Sequence, residues 1–210
     1  MSESLSLHPE DGVVLEAELD TPVSVRAGAA LCHPHPQYGG TMRSIVISAL
    51  FDALPAHGVQ TLRFNFRGVE RSTGAFDEGR GERLDVRAGL RALADALPAG
   101  LPLVLAGWSF GADVALSVLD PEVTAWVAIA PPLHYVADLT AIGADPRPKL
   151  LVLAEHDEVR APAEVEAAVS AWGSIELETV PGASHFFVGR TDRLAALVTE
   201  YVDRMVASGA

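Results

Sequence analysis

Ser109, Asp157 and His185 are the residues of this chain whose types and order suit nucleophilic chemistry. Ser109 lies in Gly107-Trp108-Ser109-Phe110-Gly111, a G-x-S-x-G pattern. A short apolar run, residues 101–106, precedes it, and an apolar stretch with one acid, Asp113, follows it. The first reads as a buried strand and the second as the start of a packed helix. G-x-S-x-G between a strand and a helix is a nucleophile elbow. The turn is sharp, the serine is strained at the sheet's carboxyl edge, and the glycines let two backbones pass closely.

A serine hydroxyl needs a base at neutral pH. His134, His156 and His185 follow Ser109. His185, in Gly182-Ala183-Ser184-His185-Phe186-Phe187, comes after the last expected strand, where a loop returns to the sheet edge, and is the expected base. His134 is expected to line the pocket. The acid must hold the imidazole by its far nitrogen and stabilise its cation. Glu155, Asp157 and Glu158 follow the apolar run 149–154. Asp157 leaves a short turn after the strand and is the expected acid, with Glu155 as the alternative. The order serine, acid, histidine is the one this strand–turn–helix arrangement uses.

The oxyanion of an acyl-transfer intermediate needs backbone donors. Phe110, directly after the serine, supplies one. The loop His33-Pro34-His35-Pro36-Gln37-Tyr38-Gly39-Gly40 supplies the other. Its prolines have no N–H, so Gln37 is expected, with Tyr38 next. His33 and His35 at i and i+2 could instead suggest zinc, but no further ligand cluster lies near, so the reading is no metal and no cofactor. Cys32 reads as a small buried residue, and Arg67 as a tie for the glycine-rich loop after it. A phosphate site over residues 74–81 lacks the Walker-type lysine.

The elements that must position these residues alternate. Strands are expected at 13–19, 26–32, 59–64, 101–106, 124–130, 149–154 and 175–180. Helices are expected at 42–57, 82–97, from 112, 162–172 and 191–206. The first two strands could form an antiparallel hairpin, and Thr41 could cap the first helix. The pattern predicts an α/β fold of three layers with a mostly parallel central sheet, in one domain over 1–210. The candidate loops all fall at carboxyl ends of strands, where such sheets bind ligands.

The formal net charge is -13, from 28 acidic and 15 basic side chains, which argues against nucleic acid and anionic membranes as partners. Apolar residues are 49% of the chain, and the mean hydropathy is +0.24. One cysteine permits no internal disulfide. Met1-Ser2-Glu3-Ser4 does not read as a signal peptide, and no apolar run is long enough to span a bilayer, so a cytoplasmic location is expected. The sequence does not give the oligomeric state, and monomer and dimer both stay open.

These motifs together resemble the α/β-hydrolase superfamily, and within it small, lidless bacterial serine hydrolases. The resemblance rests on C-H-P-H-P-x-x-G-G at 32–40, L-R-F-N-F-R-G-V at 62–69, S-x-G-x-F-D at 72–77, G-x-S-F-G at 107–111 and G-A-S-H-F-F at 182–187. It implies a Ser109–Asp157–His185 triad, an oxyanion hole of Gln37 or Tyr38 with Phe110, and Tyr135 at the pocket. Glu70 stands where that group has glycine. Ala154-Glu155-His156-Asp157 replaces G-D-x-D, and Arg160 lengthens the segment after it.

Larger hydrolases insert a lid after the strand ending near Ala130. Only 18 residues separate Ala130 from Lys149 here, so no lid domain is expected. A shallow, open pocket lined by His35, Tyr38, Phe110, Leu133, His134, Tyr135 and Phe186 follows. It would take a small-molecule acyl substrate, an ester or thioester. The alternatives are a peptidase or amidase with the same triad, and a non-catalytic binding protein on this scaffold.

Overall fold

The structure, a computed structural model, describes residues 2–135 and 139–208. Within these residues, eight strands form one sheet: β1 (Ser2–Leu7), β2 (Leu15–Asp20), β3 (Ala27–Cys32), β4 (Val59–Phe64), β5 (Leu103–Trp108), β6 (Ala125–Ile129), β7 (Lys149–His156) and β8 (Ile175–Ser184). The order is β1-β2-β4-β3-β5-β6-β7-β8. Pairing is antiparallel on both sides of β2 and parallel from β4 to β8.

Among the described residues, six α-helices cover the sheet: α1 (Ile45–Ala53), α2 (Glu82–Ala96), α3 (Phe110–Leu116), α4 (Thr140–Ala144), α5 (Pro162–Val169) and α6 (Thr191–Ser208). The two-residue period of a strand assigns each side chain to a layer. In β5, Leu103 and Leu105 join the core under α2, α3 and α5, while Val104, Ala106 and Trp108 join the core under α1 and α6. Both faces are apolar because both are covered. In α6 the spacing of Leu194, Leu197, Val198, Tyr201, Val202 and Met205 places them in one buried stripe. Each fully buried aliphatic side chain of this kind contributes about 1.5–3 kcal/mol.

The expected hairpin of the first two strands is not formed. β4 lies between β2 and β3, and β2 pairs instead with β1, a strand absent from the expectation. Burial explains the difference. All six residues of β3 are buried, so it needs neighbours on both edges and helices on both faces, whereas β2 alternates buried and half-buried residues. The helix expected over 42–57 starts at Ile45 and tightens into a 3-10 turn, Leu54–His57, at Pro55. Its N-cap is Ser44, not Thr41. β8 runs on to Ser184, and α4, between β6 and β7, was not expected. Among the described residues, no lid domain covers the sheet edge. Among the described residues, no helix is long and apolar enough to cross a membrane.

Candidate active site

Ser109 sits between β5 and α3 with φ 55° and ψ -122°, a conformation that non-glycine residues rarely adopt. The flanking glycines permit it. A Cβ on Gly107 would stand 2.2 Å from the Gly111 carbonyl oxygen, and one on Gly111 would stand 2.3 Å from the Cys32 oxygen. The Ser109 N–H donates to the Ile129 carbonyl at 2.9 Å, anchoring the turn to β6.

Ser109 Oγ lies 2.9 Å from His185 Nε2. His185 Nδ1 lies 2.9 Å and 3.0 Å from the two Asp157 oxygens. The three side chains therefore form one hydrogen-bonded line, and those of His185 and Asp157 are each 5% exposed. Backbone contacts fix each member. Asp157 Oδ1 accepts the N–H groups of Val159 (2.8 Å) and Arg160 (3.1 Å). Trp108 Nε1 donates to the His185 carbonyl at 3.1 Å, and the His185 N–H donates to Glu158 at 3.1 Å. Glu155, the alternative acid, instead accepts the Gly182 N–H at 2.6 Å. His156 is exposed beside it.

The loop after β3 folds into a 3-10 turn, Pro36–Tyr38, and both donors expected from it are occupied. The Gln37 N–H donates to His35 Nδ1 at 3.2 Å, and the Tyr38 N–H donates to the His35 carbonyl at 3.1 Å. The turn's own hydrogen bonds thus consume them. Among the described residues, no acceptor takes the His35 N–H. The Phe110 N–H opens α3 and has no partner within its helix. The sequence offered a signal for His35: it is the first residue after Pro34 that carries an N–H.

His33 pins the loop. Its Nε2 accepts the Phe66 N–H at 3.0 Å, and its Nδ1 lies 2.6 Å from the Pro34 oxygen. Burial holds its pKa down at about 3, so it stays neutral with its proton on Nδ1. Burial lowers the His35 pKa as well, with His134 nearby adding to the effect. Cys32 is fully buried and its thiol is pushed far above its usual range by burial. Arg67 binds Asp85 (2.7 Å) and Asp11 (2.8 Å) and ties down its loop. Among the described residues no metal-type cluster of His, Cys, Asp and Glu occurs.

A cavity of about 400 Å³ opens at Ser109. Of the expected lining, His35, Tyr38, Tyr135 and Phe186 face it. Leu133 and His134 do not: Leu133 packs on the core, and His134 is exposed. Asp113, fully buried in α3, accepts the N–H groups of Leu133, His134 and Tyr135 at 2.8, 2.9 and 3.0 Å and ties this segment to the helix. Phe110, also expected in the lining, does not face the cavity; its ring is fully buried against Phe66, Phe76 and Tyr135. Ile45, Trp108 and Val159 complete the wall, and sequence reading missed them because each comes from a different element. Glu70 does not line the cavity; it accepts hydrogen bonds from Asn65 (2.9 Å) and Arg43 (3.3 Å).

Comparison with known proteins agrees with the fold. A family model described as an alpha/beta hydrolase domain fits residues 30–207. The uncharacterized protein RP471 of Rickettsia prowazekii (strain Madrid E) is 30% identical over 184 residues, covering 83% of this chain and 77% of its own. An alpha-beta serine hydrolase homologue from Coxiella burnetii is 35% identical with a TM-score of 0.86, covering 95% of this chain and 96% of that one. XC6422 from Xanthomonas campestris, a serine hydrolase without a lid, is 31% identical with a TM-score of 0.87, over 97% and 94% of the two chains. The elbow, the sheet order and the family match together place this chain in the alpha/beta hydrolase family.

Proposed function

We propose that this protein is a serine hydrolase that cleaves small acyl esters or thioesters through an acyl-enzyme. The observation that carries the proposal is the unbroken hydrogen-bonded line from Asp157 through His185 to Ser109 at the floor of an open cavity. Likeness above 30% identity to two serine hydrolase structures supports it.

Ser109 Oγ attacks the acyl carbon while His185 Nε2 takes its proton. Asp157 stabilises the resulting imidazolium through Nδ1. The Phe110 and His35 N–H groups meet the negative oxygen of the tetrahedral intermediate. His185 then protonates the departing alcohol or thiol, leaving the acyl group on Ser109. A water gives its proton to His185 and attacks the ester. The Ser109 oxygen leaves with that proton, and a carboxylic acid is released. No step calls for a cofactor.

Labelling by a fluorophosphonate probe tests the reading, with Ser109→Ala as control. The wild type should be labelled at Ser109 and the variant should not. An unlabelled wild type, or equal labelling of both, overturns the proposal.

A further inference from the structure

The cavity at Ser109 is built from rings. Aromatic residues are 6% of the chain, yet Tyr38, Trp108, Tyr135 and Phe186 all face this one space, including two of the three tyrosines. They stand as two groups. Around His35, the ring centroids of Tyr38 and Tyr135 lie 4.7 and 5.0 Å from its own. Around His185, the Phe186 ring lies 5.5 Å away, with Trp108 6.3 Å from Phe186 at an interplanar angle of 85°. Ser109 lines the same cavity as both groups.

Charge is missing from the walls. Among the described residues no Lys, Arg, Asp or Glu lines the cavity, so nothing there would compensate a carboxylate, phosphate or ammonium group on the substrate. Four of the chain's exposed large apolar residues, Tyr38, Ile45, Val159 and Phe186, stand at this cavity. Clustering of that kind marks a binding surface rather than scatter. The volume, about 400 Å³, is in the lower part of the range for small-molecule sites.

The chemistry orients the ester. His185 must protonate the leaving group, so the alcohol side lies toward His185, Phe186 and Trp108. The acyl group is then left for the other ring group, Tyr38 and Tyr135 around His35, whose N–H is the proposed donor to the acyl oxygen. An aliphatic acyl chain would gain only desolvation there, whereas a ring also gains offset or edge-to-face contacts. We infer that the preferred substrate of the proposed hydrolase is an uncharged ester of a small aromatic acid, with the aryl acyl group held against Tyr38 and Tyr135. This rests on the serine hydrolase reading and adds the substrate class to it.

The test uses three methyl esters matched in non-hydrogen atoms: phenylacetate, cyclohexylacetate and octanoate, followed by acid release at constant pH. The expected result is a kcat/KM for phenylacetate about fivefold or more above that for cyclohexylacetate. Tyr135→Leu and Tyr38→Leu should bring that ratio toward one. A wild-type ratio at or below one, a preference for octanoate, or a ratio that neither variant changes overturns the inference. The fluorophosphonate probe separates the two levels. An enzyme labelled at Ser109 that prefers the aliphatic esters, or hydrolyses none of the three, refutes the aromatic class alone. An unlabelled enzyme refutes the hydrolase reading, and the substrate class falls with it.

Discussion

Asp113 Oδ2 accepts the backbone N–H of Tyr135 at 3.0 Å, so the helix behind Ser109 also holds a wall of the cavity. The same carboxylate takes the N–H groups of Leu133 and His134. From the far side, Arg160 donates to the Pro132 carbonyl, and the Arg160 N–H donates to Asp157 at 3.1 Å. Elbow helix, pocket wall and acid loop are thus joined through two side chains. Two residues of this wall region, Ala130 (φ 43°) and Leu133 (φ 56°), have left-handed backbones that need such support.

Asp113→Ala should leave three N–H groups without their acceptor. At about 1–3 kcal/mol for each buried unsatisfied group, stability should fall by several kcal/mol. Urea unfolding measures this. Asp113→Asn, which keeps one acceptor oxygen, should lose less stability and raise KM more than it lowers kcat, because the wall shifts while the triad stays. A loss confined to kcat would contradict this placement.

The carboxylates after β7 should behave differently. Asp157→Asn should lower kcat by about 10⁴-fold with little change in KM, since the histidine loses its tautomer control. Glu155→Gln should retain activity within a few fold, because Glu155 contacts Gly182 and not His185. Steady-state kinetics on any ester turned over by the wild type distinguishes them. A larger loss from Glu155→Gln would exchange the two roles.

The elbow glycines make a steric prediction. Gly111→Ala places a Cβ 2.3 and 2.4 Å from the Cys32 and His33 backbone oxygens, which neither strand nor elbow can yield. It should abolish soluble, cooperatively folding protein. Gly39→Ala meets nothing within 4 Å and bears only the strain of φ 81°, about 1 kcal/mol. Thermal melting of the two variants should separate them clearly.

Stability should depend on His33 below neutral pH. The folded state holds its pKa near 3, below the ordinary 6.5. Between those values the unfolded chain binds more protons, so acid favours unfolding. The contribution is fully present above pH 6.5 and is lost as pH falls toward 3, at up to about 1.4 kcal/mol per pH unit. His35, shifted the same way, adds to the trend. Urea titrations between pH 6.5 and 5 should show a shallower slope for His33→Asn than for the wild type.

Much of the site could be read along the chain because its determinants are local. The G-x-S-x-G pattern is legible where a strand meets a helix, since only glycine tolerates the approach of Gly107 to Gly111. The order Ser109, Asp157, His185 follows from where parallel strands end. Long-range choices were different. An alternating strand such as β2 is equally compatible with β3 or β4 as its partner, and only the pairing of β3 with β4 and β5 decides between them. Gln37 looked like a free donor because a sequence does not show that the 3-10 turn spends its N–H on His35. Asp113 read as one polar residue in an apolar helix; its role depends on a loop about 20 residues further on.

The sequence by itself determined the elbow, the alternation of strands and helices and the residues able to attack, because each depends on backbone sterics and side-chain chemistry within a few positions. Only the tertiary structure decided that Asp157 rather than Glu155 meets His185, and that Tyr38, Trp108, Tyr135 and Phe186 share one cavity. Those outcomes depend on angstrom-scale distances between loops from different strands, set when the sheet packs between its helices.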